Sequence, residues 1–177
     1  STNLEKVIKN FNGSPVMSRT GHSYIKSKII ETNALLGGEM SGHIFFNDDW
    51  YGFDDAIYSA LRMIEVLSKS KLTPHEIFNS YPKHFSTPEI NLKVPEEVKF
   101  KIIDELKTLI NSSEYVLIDI DGIRLENKNS WGLIRASNTS PNLVLRFEGK
   151  TESDLLEIKN YFKEILSKIK FDLQLDF

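Results

Sequence analysis

The chain has 177 residues, 40% hydrophobic and 27% charged, which suits one large or two small globular domains and excludes a disordered chain. Its formal net charge of -3 gives no general attraction for nucleic acid or an anionic membrane, so any anion site must be built locally. With no cysteine it has neither disulfides nor thiolate metal sites, and no apolar run approaches the roughly 18 residues of a membrane span. No signal peptide is visible, so a soluble, cytoplasmic protein is expected, with neither nucleic acid nor membrane as partner. The first residue is Ser1 rather than Met, which points to processing or excision from a longer chain.

In chain order, Val16 and Met17 read as a short strand running into the polar loop "SRTGHS". A helix from about Ser23 to Thr32 buries Ile25, Ile29 and Ile30. The stretch "GGEMSGHIFF" (37–46) supplies a strand ending at Ile44, Phe45 and Phe46. Asp54 or Asp55 caps the next helix, whose Ile57, Ala60, Leu61, Ile64 and Leu67 form one apolar face. "TPHE" (73–76) has capping-box spacing with Pro74 at the first helical position. Pro82, Pro88 and Pro95 then mark a boundary near residues 80 to 88, which divides the chain into residues 1–82 and 83–177 and could serve as a hinge.

Beyond that boundary, "EINLKV" is a strand and Glu96 to Ile110 a helix with two acids in its first turn, facing inward through Val98, Ile102, Leu106 and Leu109. "YVLIDI", "WGLIRAS" and "NLVLRFEG" are strand runs, with "GIRLE" extending the first through a turn. A helix from about Ser153 to Ile169 presents Leu156, Tyr161, Ile165, Leu166 and Ile169. The order β-α-β-β-β-α implies an antiparallel sheet with helices on one face, an α+β domain following a mixed α/β part.

Four polar clusters could carry chemistry. In "GLIRASNTSPN", Arg135 supplies a cationic fork, Ser137 and Thr139 hydroxyls, and Asn138 an amide, the groups that hold a phosphate dianion. The same residues also suit an ordinary polar turn. Glu39, Ser41 and His43 can bond neighbouring sugar hydroxyls, with Gly37, Gly38 and Gly42 admitting a ligand to the main chain. A glycine-rich bend with solvated side chains is equally compatible, and one Glu with one His is too few ligands for a metal. His22 stands at a helix start, with Arg19 and Lys26 near in sequence. "DIDGIR" looks at first like a metal loop, but Ile123 stands where a third carboxylate belongs, and Asp-Gly between apolar runs signals a hairpin.

"TGHSYIK", "GGEMSGHIFF" and "WGLIRASNTSPNLVLRFEG", in this order and spacing, resemble the second half of an α-D-phosphohexomutase, most closely the phosphomannomutase/phosphoglucomutase branch. The resemblance implies four domains around a central catalytic cleft. Residues 1–82 would be the C-terminal part of domain 3, an α/β partial domain. Residues 83–177 would be domain 4, of the TATA-box-binding-protein-like α+β type, with no implication of DNA binding.

It further implies an intramolecular phosphotransferase of carbohydrate metabolism. A phosphoserine exchanges its phosphoryl group with mannose or glucose 1- or 6-phosphate through a bisphosphorylated sugar, assisted by Mg²⁺. On this likeness Glu39, Ser41, His43 and His22 bind sugar, and Arg135, Ser137, Asn138 and Thr139 bind phosphate. Ser140 replaces a threonine common in relatives. The phosphoserine loop and the aspartate-rich magnesium loop have no counterpart here, so the chain reads as a C-terminal fragment. No catalytic residue and no metal ligand is expected within it, the missing N-terminal domains would be its partner, and turnover by the fragment alone is not expected. Alternatives are a stand-alone phosphosugar-binding module, or a fragment of a phosphoglucosamine mutase, where Gln usually stands in place of Met40.

Overall fold

A computed structural model describes residues 1–110 and 113–177. Thr2–Pro82 forms one compact unit, and Lys83–Phe177, together with Ser1, forms the other.

The first unit is mixed α/β. Its elements are α1 (Thr2–Asn10), α2 (His22–Thr32), β1 (Leu36–Gly38), β2 (Ile44–Phe46), α3 (Ala56–Lys69) and α4 (Pro74–Ser80). Its sheet is a two-stranded antiparallel hairpin in which Leu36, Gly37 and Gly38 pair with Phe46, Phe45 and Ile44. The expected strand at Val16 and Met17 does not form; both side chains are exposed, and with no partner strand a two-residue apolar run has nothing to pair with. Helix α1 was not foreseen from the sequence. Helix α2 buries Ile25 and Ile29 against Phe45, while Ile30 points to solvent at 82% exposure. Ile30 follows Ile29 by a single residue, about 100° around the helix, so both cannot face one small core.

Helix α3 begins at Asp55, whose carboxylate accepts the Tyr58 N–H at 2.9 Å. Its apolar stripe is not covered by the described residues: Ile57, Leu61 and Ile64 are 78%, 59% and 61% exposed. The helix is attached instead through its polar-aromatic side. Tyr58 stacks on Trp50 at 4.2 Å, and the Arg62 guanidinium lies 4.7 Å above the Phe46 ring. Helix α4 has the expected capping box between Thr73 and Glu76, with Pro74 in its first turn.

The second unit contains β3 (Phe85–Ser86), β4 (Ile90–Lys93), α5 (Lys99–Leu109), β5 (Val116–Ile118), β6 (Ile123–Glu126), β7 (Ser130–Ala136), β8 (Asn142–Gly149) and α6 (Glu152–Ser167). The strands make one antiparallel sheet ordered β3-β8-β7-β6-β5, with β4 also pairing β8. Register places Ile123, Ile134 and Leu145 in one row and Leu125, Gly132 and Phe147 in the next, all on the face covered by α5 and α6. Ile102 and Leu106 of α5 and Ile158, Phe162, Ile165 and Leu166 of α6 complete this core. Gly132 makes the packing possible, since a Cβ there would stand 2.6 Å from the Phe162 ring.

Two expectations shift. Helix α5 starts at Lys99, so Glu96 and Glu97 precede it, and no acid lies in its first turn. On α6 the inward positions are Ile158 and Phe162 with Ile165 and Leu166, while Leu156 is 56% exposed. "DIDG" makes the turn between β5 and β6, with Gly122 at φ 80°.

Candidate functional site

Each unit carries one cluster of polar side chains at a turn. In the first, the hairpin leaves Glu39–His43 as its connecting loop. The loop closes through Glu39 N–H to His43 O at 2.9 Å and Gly42 N–H to Glu39 O at 3.1 Å. Gly42 sits at φ 93°, a conformation that excludes most side chains and sets the turn. Gly37 has a different job from the expected ligand access: a Cβ there would lie 2.8 Å from Ile25, so its absence lets α2 pack onto the hairpin.

The Glu39 carboxylate is a brace within this cluster. One oxygen accepts the Gly21 N–H at 2.8 Å and the other the Ser41 hydroxyl at 3.2 Å, tying the hairpin loop to the "TGHS" loop. That tie brings His22 and His43 together, with ring centroids 4.5 Å apart and edge to face. Below them, the buried Phe45 ring meets His22 at 5.4 Å.

Between the two imidazoles stands Asp54. Its Oδ2 accepts from His43 Nδ1 at 2.6 Å and lies 3.4 Å from His22 Nε2, and its Oδ1 accepts the Ile44 N–H at 3.2 Å. Partial burial pushes the Asp54 carboxyl up, but the bonds from His43 and Ile44 and the nearby imidazoles outweigh that and hold its pKa below the ordinary value. A carboxylate accepting at Nδ1 makes His43 the Nδ1–H tautomer when neutral, leaving Nε2 as an acceptor toward solvent.

The sequence offers Asp54 only as a possible helix cap, not as a site residue. The signal was the doublet: two acids precede α3, Asp55 alone makes the cap, and its neighbour is therefore spare.

In the second unit, β7 runs into the turn Ser137–Pro141 and returns as β8. The buried Ser137 hydroxyl organises the turn, accepting the Thr139 N–H at 3.3 Å, the Ser140 N–H at 3.2 Å and the Ser140 hydroxyl at 2.9 Å. From beneath, Lys99 fixes the carbonyls: its Nζ donates to Ser137 O at 2.7 Å and Ser140 O at 3.3 Å, and pairs with Glu96 at 2.6 Å. Lys99 is 2% exposed, so its charge is spent inside the protein. It too was missed, because a lysine in a helical run reads as a solvated face.

Arg135 extends from the sheet face opposite the helices, one residue before Ala136 enters the core. Among the described residues neither the Arg135 nor the Asn138 side chain has a hydrogen bond or ion pair, and Asn138 and Thr139 are exposed. The loop thus has a braced base and a rim of guanidinium, amide and hydroxyl side chains.

Among the described residues, one group of three metal-ligating side chains converges: His22, His43 and Asp54. Two imidazoles with one carboxylate do not suit Mg²⁺, which takes oxygen ligands in an octahedron. Asp119 and Asp121, the sequence's look-alike for a metal loop, belong to no such group, and Asp119 instead lies 3.6 Å from Lys107.

An α/β unit followed by an antiparallel sheet backed by two helices is the domain order that the sequence resemblance implied for a phosphohexomutase. The chain belongs to the phosphoglucomutase/phosphomannomutase family: the alpha/beta/alpha domain III model matches residues 1–85 and the C-terminal domain model residues 89–165. It is 48% identical to a phosphomannomutase/phosphoglucomutase of Pseudomonas putida over 174 residues, 98% of this chain and 38% of that protein. It is 46% identical to a phosphoglucomutase of Neisseria meningitidis over 161 residues, 90% of this chain and 35% of that protein. A crystal structure of a phosphoglucomutase/phosphomannomutase family protein from Burkholderia thailandensis superposes with TM-score 0.87 at 40% identity, covering 97% of this chain and 36% of that one. The chain therefore spans little more than a third of the length of these relatives. No helix among the described residues is long and apolar enough to cross a membrane.

Proposed function

We propose that this chain supplies two recognition elements of a phosphomannomutase/phosphoglucomutase that interconverts hexose 6-phosphate and hexose 1-phosphate through a phosphoserine and a bisphosphorylated sugar. The observation that carries this is the rim of the Ser137–Pro141 turn. The Arg135, Asn138 and Thr139 side chains have no internal hydrogen-bond or ion-pair partner among the described residues, on a base already satisfied by Lys99 and Ser137. Preorganised donors of this kind bind an anion without first giving up protein contacts.

The hairpin loop contributes sugar recognition. His22 and His43 present imidazole nitrogens, Ser41 a hydroxyl, and Glu39 its remaining lone pairs while bracing the two loops. Asp54 is a positioning residue that orients His43. Partners are mannose or glucose 1- and 6-phosphate and the rest of the mutase. In the whole enzyme Mg²⁺ supplies charge neutralisation for phosphoryl transfer, on ligands other than those described here. The chain alone binds without turning over, because it offers no nucleophile paired with a metal.

The test is titration of the chain with mannose 6-phosphate and glucose 1-phosphate, followed by ¹H–¹⁵N NMR. Shifts are expected at the amides of Ser137–Ser140 and of Glu39–His43, and those at Ser137–Ser140 disappear in Arg135→Ala. Unaltered shifts in that variant would overturn the phosphate assignment. Conversion of glucose 1-phosphate by the purified chain would overturn the expectation of inactivity.

A further inference from the structure

We propose that His22, His43 and Asp54 form a binding site for a divalent cation of the zinc class, through which such ions inhibit hexose-phosphate binding. The sequence expectation was that this chain holds no metal. Glu39 with His43 is unsuitable, because Glu39 is committed to Gly21 and Ser41. The group that converges is a different one, drawn from three separate elements. His22 is the first residue of α2, His43 ends the hairpin loop, and Asp54 precedes the cap of α3.

The geometry is close to what zinc needs. One ligand atom from each residue lies within 4.8 Å of the others, with Asp54 Oδ2 at 2.6 Å from His43 Nδ1 and 3.4 Å from His22 Nε2. Tetrahedral Zn²⁺ with bonds of about 2.0–2.1 Å separates its ligands by about 3.3 Å. The Asp54–His22 separation already meets this. The Asp54–His43 hydrogen bond has to open by well under an ångström as the ion replaces the shared proton.

The surroundings favour an ion over an empty dyad. The Ile44 N–H holds Asp54 Oδ1 at 3.2 Å, aiming Oδ2 at both rings, an outer-shell contact that fixes the ligand carboxylate. The His22, His43 and Asp54 side chains are 50%, 44% and 22% exposed, so an ion can enter and keep an open position for water. Two nitrogen donors and one oxygen select Zn²⁺, Co²⁺ or Ni²⁺ over Mg²⁺. The inhibitory part rests on the sugar-binding reading above: an ion that occupies His22 Nε2 removes it from the sugar.

Zn²⁺ is titrated into the chain in phosphate-free, chelator-free buffer, read by calorimetry and by histidine side-chain ¹⁵N NMR. One ion is expected to bind saturably, with shifts at His22 Nε2 and His43 Nδ1, while millimolar Mg²⁺ leaves the spectrum unchanged. Asp54→Asn and His22→Ala should each weaken zinc binding at least about tenfold, and His75→Ala should not. His22 is half exposed at a helix start, so that variant keeps the test valid if Asp54→Asn disturbs the hairpin. Zinc shifts confined to His75 or His84, or affinity unchanged in both variants, would overturn the site. Zinc that binds at His22 and His43 and raises the hexose phosphate concentration needed for half-saturation supports the full proposal. Zinc binding with no hexose phosphate response in metal-free buffer supports the metal site and removes the sugar reading alone. Hexose phosphate binding with no zinc response removes the metal site alone.

Discussion

The two units, of 81 and 96 residues, are opposite in how they hold together. Lys83–Phe177 has a continuous core of sheet and two helices, from Leu92 through Ile169. Thr2–Pro82 has three buried hydrophobic residues, Ile25, Ile29 and Phe45, with Ala34 against them, and leaves the stripe of α3 in solvent. Apolar content does not explain the difference. The second unit closes its apolar face with its own elements, whereas the first has an amphipathic helix whose apolar side is left largely exposed by the described residues. Amphipathic pattern reports that a face exists and does not say what covers it.

The largest expected effect breaks or confirms that contrast directly. Amide hydrogen exchange should show β7, β8 and α6 protected on the order of 100-fold more than α2 and the hairpin, because opening the smaller core exposes far less apolar surface. Equal protection in both units would refute the contrast.

Point substitutions sharpen it. Phe162→Ala, which empties the space that Gly132 leaves for the ring, should cost about 3–5 kcal/mol of the second unit's stability in denaturant unfolding. Ile64→Ala on α3 should stay within about 0.5 kcal/mol, because that side chain is 61% exposed. A large loss at Ile64 would mean that the stripe is covered after all.

Between those extremes lies Lys99→Met. It leaves the Ser137 and Ser140 carbonyls without their donor and should cost about 1–3 kcal/mol. Phosphate binding should weaken while distant amides keep their shifts. Retained phosphate affinity would show that the turn holds its shape through Ser137 alone.

Much of this was legible in the sequence because local chemistry decides it. The capping box at Thr73, the strand runs flanking "RASNTSP" and the inward positions Ile102 and Leu106 all depend on neighbours within a few residues. What escaped depends on contacts far along the chain. Asp54 joins His22 across 32 residues and Lys99 reaches Ser137 across 38, distances that no spacing rule spans. Gly37 is similar: its role became visible only when Ile25 of α2 lay against it.

The smallest expected effect comes from a feature the units share, a histidine paired with a carboxylate. In the second unit His84 Nδ1 meets Glu148 at 2.9 Å with both side chains nearly buried, 11% and 6% exposed; in the first, His43 meets Asp54 at 2.6 Å with 44% and 22% exposed. Burial raises the Glu148 carboxyl, yet hydrogen bonds from His84 and Ser1 outweigh it and leave its pKa below the ordinary glutamate value, while Asp54 lies below the ordinary aspartate value. A depressed folded pKa means the unfolded chain takes up protons first, so each carboxylate stabilises its unit above those ordinary values and loses that contribution as pH falls through the lower folded value. Carboxyl ¹³C NMR titration should therefore place both midpoints below the ordinary glutamate and aspartate values. Glu148→Gln should flatten the acid limb of unfolding more than Asp54→Asn, because solvent screens the more exposed pair. The reverse order would mean that the hairpin pair, for all its exposure, holds its unit together more firmly than the buried one.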